Sequence, residues 1–303
     1  MKTTEKTSCI EATPVSGHAP SLLPPGRWRL VWHDEFDGDR LDDTKWGYRT
    51  CFWGRRAHWF ATPEDGAVEV RDSLCRLKLT KRPDGQFVTP QLQTGEMVWD
   101  TPHVEGRKEF WPLPKRQPAK FVHRYGYYEC RCRLQQMPDW WTAFWMQSPT
   151  QGCSLDPAHA GVEHDIMESF RPGQIIPHAF HANGYGADHL CFTVPPQPAG
   201  MSGHEWNKVG AVHLDKTIFH TFGMLWEPDG YTFYIDGAQH GDKAGSGPGE
   251  AVSHVPEFIL ISAEAKDFRQ NMMTGPAAPG LEAALAAGDD FLVDYVRVFD
   301  PEE

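Results

Sequence analysis

The chain has 303 residues, 40% of them hydrophobic and 23% charged, with a formal net charge of -12. That charge repels a nucleic-acid backbone, and Lys and Arg form no run longer than a pair such as Arg55-Arg56, so nucleic acid is excluded as a partner. No apolar run approaches the roughly 18 residues needed to cross a bilayer, so no membrane partner is expected. Twelve Trp are more than a β core of this size needs; indole faces stack on the apolar faces of sugars, which favours carbohydrate as the ligand.

In chain order, Met1 to Thr7 has lysines with no apolar stretch behind them and does not read as a signal peptide. Residues 1–24, broken by Pro14, Gly17, Pro20 and Pro24, read as an N-terminal arm, flexible or strapped onto the domain. Residues 25–303 then form one domain. Its signals are short apolar and aromatic runs bounded by Gly, Pro, Asp or Asn: Trp28 to Trp32, Ala67 to Val70, Leu74 to Leu79, Tyr125 to Leu134, Trp141 to Gln147, Thr221 to Trp226, Tyr231 to Ile235, Phe258 to Ser262 and Phe291 to Phe299. Glu227-Pro228-Asp229-Gly230 and Asp236-Gly237 are turn clusters between strands. The one helix expected is Leu281 to Ala287. Many short antiparallel strands and little helix predict an all-β sandwich of two sheets. Seven Cys cannot all pair within one chain and show no Cys-x-x-Cys spacing, so free thiols are expected, which suits a reducing compartment.

The informative stretch is Gly161-Val162-Glu163-His164-Asp165-Ile166-Met167-Glu168. In a strand, Glu163 and Asp165 share a face while His164 and Ile166 take the other. Glu168 is out of phase, and a β-bulge around Ile166-Met167 returns it to the first face. Three crowded carboxylates read as a solvated acidic strand edge, as a divalent-cation site or as the machinery of glycoside cleavage. The Asp between two Glu favours the last, because it can keep one Glu ionised and the other protonated. Upstream, Trp141, Ala143 and Trp145 share a face opposite Phe144 and Met146; with the latter pair in the core, the two Trp flank a small residue on the open side, where a sugar ring fits.

Arg124-Tyr125-Gly126-Tyr127-Tyr128-Glu129, Trp141-Thr142-Ala143-Phe144-Trp145, Glu163-His164-Asp165-Ile166-Met167-Glu168 and Phe219-His220-Thr221-Phe222 occur in that order. With Trp32 to Gly38 as an opening strand and Asp294 to Val298 as a closing one, the chain resembles glycoside hydrolase family 16, the laminarinase, agarase and carrageenase group. The resemblance implies a concanavalin-like jelly roll with a concave open cleft, and a retaining, endo-acting hydrolase of a β-linked glucan or galactan. A transglycosylase or a non-catalytic carbohydrate-binding protein on the same fold are the alternatives. By the family motif Glu163 is the nucleophile, Asp165 the assisting acid and Glu168 the acid/base, with Trp141 and Trp145 as stacking platforms and His181 offered to the cleft from the neighbouring strand. The resemblance also implies a structural calcium, with Glu35 and Asp294 at the matching positions, and no cofactor in the reaction. Departures from the family pattern, the Arg- and aromatic-rich Arg49 to Trp59 loop and the Gly106 to Ala119 insertion, are expected to wall the cleft, with Trp53, Arg55 and Trp59 against substrate. A monomer is expected.

Overall fold

The computed structural model describes residues 7–49, 60–88, 90–100, 111–112, 117–184, 188–245, 250, 252–265 and 279–303. Trp53, Arg55 and Trp59, with Arg56, lie outside them, as does most of the Gly106 to Ala119 insertion. No helix among these residues is long and apolar enough to cross a membrane.

Every strand expected from the sequence is present, and two sheets carry them. Numbering only the strands of the sandwich, these are β1 (Trp28–Asp34), β2 (Gly47–Tyr48), β3 (Val68–Arg71), β4 (Leu74–Lys78), β5 (Gln91–Gln93), β6 (Gly126–Arg133) and β7 (Trp140–Gln147). They continue as β8 (Glu163–Ser169), β9 (His178–Ala182), β10 (Leu190–Val194), β11 (His220–Glu227), β12 (Gly230–Ile235), β13 (Ala238–Ala244), β14 (Phe258–Ala265) and β15 (Asp290–Pro301). The eight-stranded sheet runs β13-β12-β11-β6-β15-β4-β3, with β1 sharing the outer edge of β15 with β4; the seven-stranded sheet runs β10-β9-β8-β7-β14-β5-β2. All of these pairings are antiparallel, the arrangement of a jelly roll.

The core lies between the sheets. Phe144, Met146, Ile166, Met167 and Phe180 point into it from the seven-stranded side and meet Cys130, Phe222, Phe233 and Val296 from the other. Period-two alternation forces the companion residues of β7, β8 and β14 onto the outer face of the seven-stranded sheet, which is where the acids stand. The hairpin from β12 to β13 turns through Asp236 and Gly237, both at positive φ (48° and 75°), which is why an Asp-Gly pair sits there. The described cysteines, Cys9, Cys75, Cys130, Cys132, Cys153 and Cys191, are free thiols.

Helix is present at Pro279–Ala287, where the Ala-rich run was expected, and also at Gly203–Val209, which apolar periodicity does not signal. The second was legible another way: Ser202 and Glu205 form a capping box, each satisfying a backbone N–H of the other.

The N-terminal arm is a strap from its first described residue. Strands Ile10–Ala12 and Ser21–Leu23 pair with each other, and Cys9 and Leu23 pack on Tyr127, Tyr234 and Phe299 on the outer face of the eight-stranded sheet. Beneath it Arg297 is fully buried and donates to both oxygens of Glu35 (2.9 and 2.7 Å), to Ala19 O (2.9 Å) and to Ser21 Oγ (2.8 Å). Glu129, buried beside them, accepts from Leu22 N at 2.6 Å, and burial pushes its carboxyl up to about 7. Asp294 is paired with Arg131. Glu35 and Asp294 therefore do not fit the calcium site that the family resemblance implied: Arg297 holds both oxygens of Glu35, and Asp294 has a guanidinium of its own. Arg297→Ala removes the guanidinium from buried Glu35, leaving His18 and His33 beside it, and is expected to cost about 3 to 5 kcal/mol, measured by denaturant unfolding, whereas EDTA should leave the melting temperature unchanged.

Candidate active site

The site is assembled on β8 and its neighbours. β7 pairs with β8 through Gln147–Glu163, Met146–His164 and Trp145–Asp165; then the register shifts, and Phe144 meets Met167 and Ala143 meets Glu168. Ile166 is the extra residue, so the expected bulge is there. Its cause is apolar: Ile166 and Met167 are consecutive in sequence and both fully buried in the core, which a regular strand cannot arrange. The phase changes by one, and Glu163, Asp165 and Glu168 all line one pocket of about 190 Å³ on the outer face.

Glu163 and Asp165 are buried, at 7% and 6% exposure, whereas Glu168 is half-buried. Each buried acid is held by a chain of donors. Gln147 Nε2 donates to Glu163 Oε2 at 3.0 Å and to Gln151 Oε1 at 2.9 Å, while Gln147 Oε1 accepts from Arg49 Nη2 at 3.0 Å. The amide cannot flip without losing these contacts, so a fixed N–H faces Glu163. Asp165 is held by His181 Nε2 at 3.0 Å, and His181 Nδ1 lies 2.8 Å from His189 Nε2. Burial works against charge on His181, but its bonds to Asp165 and Cys191 and the charges of Asp165 and Glu163 prevail and hold its pKa well above the ordinary histidine value. Burial, and then the charge on His181, push His189 down to about 4. A charged His181 thus donates from both nitrogens, to a carboxylate on one side and a neutral imidazole on the other.

Trp141 and Trp145 both line the pocket, and Phe144 and Met146 are in the core. The two Trp differ in availability. Trp145 is 4% exposed, with Nε1 donating to Ser262 Oγ at 3.1 Å and the Arg49 guanidinium 5.0 Å from its ring centre. Trp141 is half-buried, with Phe170 at 5.1 Å between ring centres.

Sequence reasoning missed several residues of the site. Gln147 continues the parity of Trp141, Ala143 and Trp145 and could have been read from period two. Ser262 and Glu264 follow from the same rule on β14 once its neighbour is known. His189 and Asn207 reach the pocket from a loop and from the capped helix, and no local pattern announces them. Arg49 belongs to the expected cleft-wall loop but lies at 3% exposure, braced against Trp145 and Gln147.

Among the described residues, Glu163, Asp165 and His181 bring ligand-type atoms within 4.8 Å of one another. His181 Nε2 and an Asp165 carboxylate oxygen are engaged with each other at 3.0 Å.

The comparisons with known proteins concern the family and the fold. Residues 28–301 match the family model described as the GH16 domain of beta-porphyranases A–D. A glucan endo-1,3-beta-glucosidase of Cryptopygus antarcticus is 28% identical over 218 residues, 70% of this chain and 67% of the relative. A beta-glucanase of Rhodothermus marinus is 25% identical over 298 residues, 90% of this chain and 85% of the relative. Among solved structures, the laminarinase from Rhodothermus marinus superposes with a TM-score of 0.61 at 18% identity, over 92% of this chain and all (100%) of its own. SCLam, a non-specific endo-beta-1,3(4)-glucanase from family GH16, gives 0.59 at 18% identity, over 99% of this chain and 98% of its own. At such identities the likeness to solved structures speaks for the fold alone.

The histidine pair makes the stability of the site pH-dependent in two directions. The unfolded value is about 6.5 for both rings. His181, raised on folding, contributes stability that is complete below that value and lost as pH rises through the raised one; His189, lowered to about 4, costs stability as pH falls below the unfolded value. Melting temperatures taken across pH should therefore decline less on the alkaline side in His181→Gln, and less on the acid side in His189→Gln, than in the wild-type protein.

Proposed function

We propose, from the premise that this chain belongs to glycoside hydrolase family 16, that it cleaves a β-linked polysaccharide internally and with retention, through a covalent intermediate on Glu163. The observation that carries this reading is the bulge at Ile166, which turns Glu168 to the same face as Glu163 and Asp165.

The environments of the two Glu favour different roles. Glu163 is buried with an amide N–H fixed on one oxygen, which suits a carboxylate that must stay ionised and attack in one direction. Glu168 is more open, as a group must be that first gives a proton to a leaving oxygen and then takes one from water. In the first step Glu163 bonds to the anomeric carbon as the glycosidic bond breaks, and the proton of Glu168 goes to the departing oxygen. In the second, water gives its proton to Glu168 and its oxygen to the anomeric carbon, releasing Glu163; two inversions give net retention. Asp165, neutralised by His181, stands between them without adding a full uncompensated charge. Trp141 is the better placed stacking surface for a sugar ring, and Trp145 forms the wall behind it.

For the substrate, the match to a porphyranase-type domain over nearly the whole chain favours a β-linked galactan, with porphyran first. The names of the relatives favour a second reading, a β-1,3- or mixed-linkage glucan. Extended products of several lengths suit a site on an open sheet face, and a monomer suffices for it.

The purified protein is to be incubated with porphyran, agarose, carrageenans, laminarin and mixed-linkage glucan, and the products sized by chromatography. Oligosaccharides of several lengths from a galactan are expected; glucan oligosaccharides alone would move the assignment to the second reading, products longer than the substrate would indicate transglycosylation, and binding without cleavage would leave a carbohydrate-binding protein. Glu163→Ala and Glu168→Ala should each lower kcat by about a thousandfold or more with the fold intact, and a folded, active Glu163→Ala protein would sink the assignment.

A further inference from the structure

We propose that His178 is a positioning residue for the acid/base: its imidazole holds the carbonyl of Ile166, the extra residue of the bulge, and so fixes where Glu168 stands relative to Glu163. The proposal rests on the reading of those two acids given above.

An extra residue in a strand leaves a peptide group out of the ladder, and a buried carbonyl must find a donor elsewhere. The ladder between β8 and β9 ends at Asp165–Ala179, one residue short of Ile166. At that point β9 offers a side chain: His178 Nδ1 lies 2.6 Å from Ile166 O. A carbonyl only accepts, so Nδ1 carries the proton.

The ring is not free to swing. His178 is 1% exposed and stacks on Phe233 of the opposite sheet, with ring centres 4.5 Å apart and planes 8° from parallel. Its Nε2 has no hydrogen-bond partner among the described residues, which leaves nothing to stabilise a second proton; burial, and then His240, push its pKa down to about 3. The imidazole is thus a neutral donor of fixed direction, clamped between the bulge and the core. Beyond it, Ile176 N donates to Glu168 O at 3.1 Å. Together the two bonds tie both ends of the irregular segment 166–168 to β9 and the turn before it. The apolar pair Ile166-Met167 selects the bulge, and His178 sets its position.

Two variants separate hydrogen bonding from packing. His178→Phe keeps a flat ring against Phe233 and removes the donor; His178→Asn puts an amide N–H where Nδ1 was. On the polysaccharide that the wild-type protein cleaves, His178→Phe is expected to lower kcat by about ten- to a hundredfold, the cost of misplacing a reacting group by a fraction of an ångström to one ångström. KM should stay within about twofold, since substrate contacts are untouched, and His178→Asn should recover most of the lost kcat. A folded His178→Phe with wild-type kcat, or an Asn variant as impaired as the Phe one, would overturn the proposal. If His178→Phe does not fold, ¹⁵N NMR of the wild-type imidazole decides: the Nδ1–H tautomer is expected, and the Nε2–H tautomer would overturn it. Glu163→Ala in the same assay keeps the two questions apart. Equal cleavage by wild-type and Glu163→Ala means that the acids are misassigned, whereas an inactive Glu163→Ala beside a fully active His178→Phe means that only the role of His178 is wrong.

Discussion

The site depends on one extra residue in one strand. A regular β8 would send Glu168 into the core and Met167 out to the cleft, burying a carboxylate and exposing a thioether. With Ile166 as the extra residue, Ile166 and Met167 both stay in the core, and the acid comes round to the face of Glu163 and Asp165. Burial of apolar surface thus fixes on which face Glu168 stands. The same hydrophobic force that holds the two sheets together selects the irregularity that brings the three acids to one face.

Around the bulge, charge is managed by fixed donors. Glu163 faces an amide whose other end is anchored by Arg49, and Asp165 faces an imidazolium backed by a neutral imidazole. Both chains run from the outer face of the seven-stranded sheet toward its edges and need residues far apart in sequence. Their common effect is to set a hydrogen-bond donor against each of the two buried acids, while the third is more open. Arg49 adds a second service, since its guanidinium also braces Trp145.

The opposite side of the sandwich solves a different problem. The outer face of the eight-stranded sheet buries Glu129, Glu35 and Arg297, a costly set that needs every partner it can find. The N-terminal strap supplies them from its backbone and from Ser21, and adds apolar cover through Leu23. A guanidinium with a bidentate carboxylate thereby holds together a face where the family resemblance implied a metal ion. The two faces are independent in their chemistry and share only the core between them.

The sequence by itself determined the strands, the two-sheet class, the outward parity of Trp141 and Trp145, the place of the bulge and the three acids, because each of these follows from local periodicity and from residue types within a ten-residue window. It also carried the capping box at Ser202, which apolar periodicity passes over. It could not determine that Glu35 and Asp294 are held by Arg297 and Arg131, that Gln147 is locked by Arg49, or that His178 and His181 serve different residues of β8 from one strand. Those facts depend on which strands become neighbours, and pairing is decided by long-range burial and register. Only when β9 lies beside β8 does an imidazole on one meet a carbonyl and a carboxylate on the other.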